Sequence, residues 1–204
     1  MNYYPVFLNL KGKKAVVIGG GRVAERKILL LVKADAVITV ISPQLTGRLL
    51  KEKEKKRIRH ISRSYKINDL KGAFIVIAAT DSPEINSRVA KDAPALVNVV
   101  DVPSQCNFIA PSVVKRGPLT IAISTGGISP ALSKTIRREL EKLYGPMFSE
   151  YLKFVKKLRE KAMVEIKDKK QREKFLKSLA SEKVLKTLRA KGFEGVEKIV
   201  DVIT

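Results

Sequence analysis

The 204-residue chain has one cysteine and one histidine. A lone Cys106 excludes an intrachain disulfide, fits a reducing cytosol and reads as a small packed side chain. With only His60 to join it, there is no preformed transition-metal cluster, and no Ser-His-Asp or Cys-His arrangement is set up. No metal ligands are assigned. His60 stands between Arg59 and Ile61 in a basic stretch, so it is expected to be solvated and away from any ligand edge. There is no run of eighteen apolar residues, which excludes a transmembrane helix. The start, Met1-Asn2-Tyr3-Tyr4-Pro5, has neither a basic nor an apolar leader region, so a cytoplasmic location without membrane association is expected. Acids are scarce: 20 against 41 basic residues, a formal charge of +21. Such a field attracts polyanions, either nucleic acid or a small substrate bearing many carboxylates. A Lys/Glu-rich surface of thermophile type is a further contribution.

The strongest local signal is a strand running into a glycine turn, Ala15-Val16-Val17-Ile18-Gly19-Gly20-Gly21-Arg22-Val23-Ala24. Gly19 allows the tight turn, and Gly21, lacking Cβ, lets a pyrophosphate approach the backbone. Ala24 lets the following helix pack close to the sheet, and the helix N-terminus offers N–H groups to the anion. Strand, turn and helix in this order point to dinucleotide binding.

Strands are expected over Lys14–Ile18, Ala36–Ile41, Ile58–Ile61, Phe74–Ala79 and Leu96–Val100. Helices are expected over Arg22–Lys33, Gln44–Lys55 and Pro83–Ala90. That alternation implies an α/β fold with a Rossmann-type, doubly wound parallel sheet. Two more strands, Phe108–Val114 and Leu119–Ser124, flank an expected turn at Lys115-Arg116-Gly117-Pro118, and a helix from Pro130 to Tyr144 follows. Gly145-Pro146 marks a boundary. Beyond it, apolar residues at helical spacing predict three or four short helices. The chain thus divides into a nucleotide-binding domain (1–107), a small α+β dimerisation region (108–145) and a helical C-terminal domain (146–204).

Ligands in such a sheet bind beyond the carboxyl ends of the strands. Candidate cofactor residues are therefore Gly19, Gly21, Arg22 and Val23 after the first strand, Ser42 and Pro43 after the second, and Thr80 and Asp81 after the fourth. Where an NAD site usually has an acid for the ribose hydroxyls, this chain has Ser42, so the residues alone leave NAD against NADP open. Asp101, ending the strand Leu96–Val100, is the catalytic candidate, a half-buried carboxylate suited to proton transfer or a capping loop residue. Ser124, Thr125 and Gly126 precede a helix N-terminus and form a second place for an anion. Arg116 and Lys134 flank that turn.

Taken together, Tyr4-Pro5-Val6-Phe7-Leu8, the glycine turn through Lys27, Ala78-Ala79-Thr80-Asp81 with Asn86, Asn98-Val99-Val100-Asp101, Phe108-Ile109-Ala110-Pro111-Ser112 and Ile123-Ser124-Thr125-Gly126-Gly127-Ile128-Ser129-Pro130-Ala131-Leu132 resemble the siroheme synthase N-terminal module family. The likeness runs from about residue 3 to 145. It implies NAD as cofactor and oxidation of precorrin-2 to sirohydrochlorin, with Asp101 handling protons. In bifunctional members the same carboxylate is implicated in Fe²⁺ insertion. The resemblance further implies a homodimer built largely through Phe108–Tyr144. The position phosphorylated in some members falls on Thr125 here, with Ser124 before it. With the chain ending at Thr204, no fused methyltransferase domain is expected. The basic surface then reads as a means of holding a polycarboxylate tetrapyrrole, with Arg116, Lys134, Arg137 and Arg138 as candidate partners. A competing reading is an NAD(H)-binding redox sensor that uses its basic tail on nucleic acid. The tail lacks a recognisable nucleic-acid motif, which makes such a partner the lesser expectation. A different NAD(P) oxidoreductase is the third reading.

Overall fold

The computed structural model describes residues 3–200. Residues 201–204, the end of the expected C-terminal domain, lie outside the described residues. The chain divides into two compact units, Met1–Ala110 and Pro111–Thr204.

In the first unit, five strands form one parallel sheet: β1 (Lys14–Ile18), β2 (Val37–Ile41), β3 (Ile58–Ile61), β4 (Ile75–Ala78) and β5 (Leu96–Val99). Their order is β3-β2-β1-β4-β5. The chain starts at the centre, winds outward to β3, then crosses to the other side at β4. The switch point thus falls between β1 and β4, where ligands of doubly wound sheets bind. Side chains alternate across β1: Ala15 and Val17 face one core, Val16 and Ile18 the other. The first core is covered by α1 (Arg22–Lys33) and α2 (Gly47–Glu54) through Ala24, Ile28, Leu31 and Leu49. The second is covered by α3 (Pro83–Asp92) through Val89. Ser82 caps α3, accepting from the Ile85 amide, with Pro83 in the first turn.

Expected and observed elements differ at their ends. The second helix starts at Gly47 instead of Gln44, because Thr46 is its cap and accepts from the Leu49 amide. Part of the basic stretch around His60 lies away from the ligand edge. Lys53, Lys56, Arg57 and Arg59 line a groove with Lys33 at the opposite, amino-terminal ends of β2 and β3.

In the second unit, β6 (Ser112–Arg116) and β7 (Leu119–Ile123) form an antiparallel hairpin, followed by α4 (Pro130–Leu143). The expected strand at Phe108–Val114 is therefore displaced toward the C-terminus, and Lys115 and Arg116 belong to β6 instead of the turn. Arg116 is held there by its side chain, which donates from Nε to the Tyr144 carbonyl (2.9 Å) and from Nη2 to Glu141 (3.2 Å) at the end of α4. Three helices follow: α5 (Met147–Glu165), α6 (Lys169–Ser178) and α7 (Glu182–Val200). Two of them run to 19 residues, longer than expected, and α7 breaks at Gly192, whose φ is +70°. Phe148, Tyr151, Leu179, Val184, Leu188 and Val196 form their core, with Leu119 of β7 packed against it. Among the described residues, no helix is long and apolar enough to cross a membrane.

Candidate functional site

A cleft of about 500 Å³ opens at the switch point, between the glycine turn, the segment Ser42–Thr46 after β2 and the segment Ala79–Ser82 after β4. Two glycines of the turn have a steric reason, and the third faces open space. Gly19 has φ +118°, and a Cβ there would lie 2.1 Å from the Ala79 carbonyl oxygen. A Cβ on Gly20 would meet the Gln44 carbonyl oxygen at 2.0 Å and Ser42 Oγ at 2.5 Å. These two residues let the turn lie directly on the ends of β4 and β2. Gly21 has no atom within 4 Å of the Cβ position, so it opens onto free space in the cleft lining. It also caps α1 in extended conformation with no side-chain hydrogen bond, which leaves the first-turn N–H groups to a ligand. Ala24 is fully buried beneath. A bare, uncapped helix start beside an open glycine fits the pyrophosphate of a dinucleotide. Arg22 and Val23 follow on the exposed first turn.

Ser42 lies in the cleft lining but its side chain is turned inward. It is 4% exposed, and Oγ donates to the Gln44 carbonyl at 2.7 Å. His60, at the carboxyl half of β3, lies with Nε2 2.9 Å from the Ser42 carbonyl oxygen and 3.3 Å from its Oγ. A carbonyl only accepts, so Nε2 carries the proton. His60 is thus a half-buried strut of the cofactor loop, correcting the expectation of a solvated histidine remote from the ligand edge. Sequence could not reveal this, because the partners are 18 residues apart on adjacent strands. Pro43 is exposed in the cleft lining. Further along, Thr46 Oγ1 donates to Glu25 of α1 at 2.5 Å, which ties the loop to the helix.

On the other side of the cleft, Asn86 of α3 organises Thr80. Its Oδ1 accepts from the Thr80 amide (3.2 Å) and hydroxyl (2.8 Å), while Nδ2 donates to the Thr80 carbonyl (2.9 Å). Asp81 is exposed beside it in the lining. Asn86 is buried, so its replacement strands polar groups. Asn86→Ala is expected to lower stability by about 1–3 kcal/mol in urea unfolding and to weaken nucleotide binding in the same protein.

Asp101 follows β5 in the left-handed region, φ +60°, and is exposed, not half-buried as expected. Aspartate tolerates this region better than most residues, but it remains uncommon outside glycine. The turn is pinned by Cys106, whose Sγ lies 3.1 Å from the Val99 amide and 3.4 Å from the Val102 carbonyl oxygen. This agrees with a packed structural thiol.

The second set of expected site residues lies in the second unit. Gly126 and Gly127 both take positive φ, +64° and +88°. The Gly126 amide already donates to Ser124 Oγ at 3.1 Å, and Thr125 Oγ1 closes a local loop with Ser129. The turn is therefore prebuilt, with Ser129 capping α4. Lys134 is exposed on the first turns of α4. Arg116 uses three of its five N–H donors on the carbonyls of Lys115, Glu141 and Tyr144, so it also closes the end of α4. Arg137 is likewise paired with Glu141 at 2.5 Å. Among the described residues, no group of three or more His, Cys, Asp or Glu side chains is placed to hold a metal.

Comparison with known proteins agrees with this geometry. Residues 6–112 match the family described as "Putative NAD(P)-binding", and residues 116–143 match "Sirohaem biosynthesis protein central". Siroheme synthase of Methylobacillus flagellatus is 42% identical over 163 residues, covering 78% of this chain and 35% of that protein. Siroheme synthase of Mannheimia succiniciproducens is 33% identical over 205 residues, covering 99% of this chain and 43% of that protein. The chain thus spans about two fifths of the length of such relatives. A solved structure named "SirC, precorrin-2 dehydrogenase" matches with a TM-score of 0.82 and 29% identity, covering 98% of this chain and 100% of that one. The chain belongs to the siroheme synthase N-terminal module family and carries its NAD(P)-binding fold.

Proposed function

We propose that the chain oxidises precorrin-2 to sirohydrochlorin with NAD, a step of siroheme biosynthesis. The observation that carries this reading is the glycine-turn cleft at the switch point of a sheet that also presents Asp101 beyond its carboxyl edge. The full-length likeness to a protein named precorrin-2 dehydrogenase supports the choice of substrate. The relatives are named as biosynthetic enzymes, which favours catalysis over a nucleic-acid-binding sensor.

When bound, NAD supplies the hydride acceptor. The Gly19–Gly21 turn and the start of α1 hold its pyrophosphate. Ser42 and Pro43 shape the adenosine side through their backbone, since the Ser42 hydroxyl is bonded inward. Thr80 and Asp81 line the opposite wall. The substrate loses a hydride and a proton, forming one C=C bond, and Asp101 takes up the proton. Its exposure leaves it open to a bulky macrocycle. Ser124, Thr125, Gly126 and Lys134 are proposed for substrate carboxylates. Arg116 is proposed beside them, with two N–H donors beyond the three bonded to carbonyls.

A homodimer is part of the same proposal. Ile128 and Leu132, in the region expected to pair, are 90% and 52% exposed and support it. Light scattering should give twice the chain mass. A cytosolic location is proposed on the single cysteine and the chemistry of a reduced tetrapyrrole. Insertion of Fe²⁺ as a second substrate is proposed through the same carboxylate, Asp101. Anaerobic incubation of enzyme with precorrin-2 and NAD tests the main reading: the sirohydrochlorin spectrum is expected to grow with NADH. No NADH with authentic substrate would reject it. Later addition of Fe²⁺, with and without enzyme, tests the chelatase step.

A further inference from the structure

The chain beyond β3 also reaches the cofactor cleft, where Ser64 and Tyr65 are part of the lining. β3 is the edge strand of the sheet, beside β2. His60 in β3 and Ser62 just past it stand two residues apart, the spacing that points side chains to one side of an extended chain. Both reach the loop after β2. His60 Nε2 donates to the Ser42 carbonyl at 2.9 Å, and Ser62 Oγ donates to the next carbonyl, that of Pro43, at 3.0 Å. The segment that carries these donors is itself fixed. Arg63 bonds both carboxylate oxygens of Asp69 at 2.7 Å, and the Tyr65 hydroxyl donates to Asp92 of α3 at 2.6 Å.

The loop held in this way, Ser42–Thr46, is irregular between β2 and α2, with Pro43 and Gln44 exposed. Its other ties run within the loop or to the glycine turn: Ser42 Oγ to the Gln44 carbonyl at 2.7 Å, and the Thr46 amide to the Gly20 carbonyl at 3.2 Å. A loop that must be ordered on binding costs affinity, and a loop already ordered avoids that cost. The strand order says which half of a dinucleotide gains. Asp101 follows β5, which lies beyond β4, so the reacting ring belongs on that side of the cleft. With the pyrophosphate at the glycine turn after β1, the adenosine extends over the end of β2 toward β3.

We propose that His60 and Ser62 are positioning residues for the adenosine half of the cofactor: by holding the Ser42 and Pro43 carbonyls, the edge strand keeps the loop after β2 in its binding shape. This rests on a dinucleotide lying in the cleft with its reacting ring toward Asp101. The brace matters more here than in a site with an acid at the end of β2. Ser42 stands at that place with its hydroxyl bonded inward, so the shape of the backbone carries the recognition.

The test uses His60→Ala, His60→Gln and Ser62→Ala in the full chain, with two cofactor fragments as probes. ADP represents the adenosine half and nicotinamide mononucleotide the other, and ligand-observed NMR follows the binding of each. ADP affinity should fall about tenfold in His60→Ala, which loses a bond to a largely buried loop residue, and about threefold in Ser62→Ala. His60→Gln keeps an N–H donor and should recover most of the loss. Nicotinamide mononucleotide should bind all three variants as it binds wild type. Unchanged ADP affinity in both alanine variants, or an equal loss of both fragments, would overturn the proposal and leave the two residues as general supports of the fold. Should His60→Ala fail to fold, Ser62→Ala decides, since an exposed serine loses only its hydroxyl there. Failure of the wild-type protein to bind NAD would instead reject the cofactor cleft itself, whatever the variants give.

Discussion

Asp101→Asn is expected to lower turnover by roughly 10²–10⁴-fold, the span that a positioned proton acceptor contributes, while nucleotide affinity stays unchanged. The asparagine variant is the cleaner of two. Asp101 sits at φ +60°, a conformation asparagine adopts nearly as readily as aspartate. Asp101→Ala should lose the same activity and about 1–2 kcal/mol of stability as well, because alanine is strained in the left-handed region. Comparing the two by steady-state kinetics and urea unfolding separates chemistry from backbone strain. The nucleotide should bind both variants, since the cleft lining lies at the ends of β1, β2 and β4 and does not include Asp101. Wild-type turnover in Asp101→Asn would remove the residue from the mechanism.

The second large effect is expected at the glycine turn, where neighbouring substitutions should fail for different reasons. Gly21→Ala adds a methyl group into open space, at a residue whose φ of −78° suits alanine. Its fold should be intact and its thermal midpoint unchanged. Its NAD affinity should fall at least about tenfold, equivalent to about 1.4 kcal/mol, because the methyl occupies the approach of the pyrophosphate. Gly19→Ala places its methyl 2.1 Å from the Ala79 carbonyl oxygen at φ +118°. Neither backbone can yield without disturbing the β1–β4 pairing, so this variant should lose several kcal/mol of stability, on the order of 3 or more. Calorimetric titration and thermal unfolding of both variants check the contrast. Equal NAD binding in Gly21→Ala and wild type would place the pyrophosphate elsewhere.

How much of this was legible in the sequence depended on how local the cause was. β1, β3 and α1 match the expected residues, since β-branched runs and the glycine turn mark their ends directly. Ser82-Pro83 and Ser129-Pro130 located two helix starts because a cap acts within three residues. The start of α2 was read three residues too early, at Gln44, while Thr46 is the residue that caps. β6 was displaced because Lys115 and Arg116 resemble a polar turn. What keeps Arg116 in the strand is a guanidinium bonded to carbonyls 25 and 28 residues away, and spacing carries no trace of that.

The candidate site divides in the same way. Gly19, Gly21 and Ala24 were legible as a motif; the structure supplies a steric reason for Gly19 and for the buried Ala24, and open space at Gly21. Ser42 lines the cleft, and only the structure gives its inward hydrogen bonds and its histidine strut. Asn86 and Asn98 were visible only as parts of family-like blocks. Their work is done at a distance, on the Thr80 loop and on Lys27. The tetrapyrrole reading came from six blocks in order, not from any chemistry that composition or periodicity supplies.

The central claim is that this cleft and this carboxylate together oxidise precorrin-2. It is tested most directly by anaerobic single turnover with excess enzyme and NAD, following NADH and sirohydrochlorin in the same cuvette. Equimolar NADH and sirohydrochlorin, appearing together, and both slowed in Gly21→Ala when NAD is made limiting, is the expected result. Sirohydrochlorin formed without NADH, or no conversion by wild-type protein saturated with NAD, would contradict it.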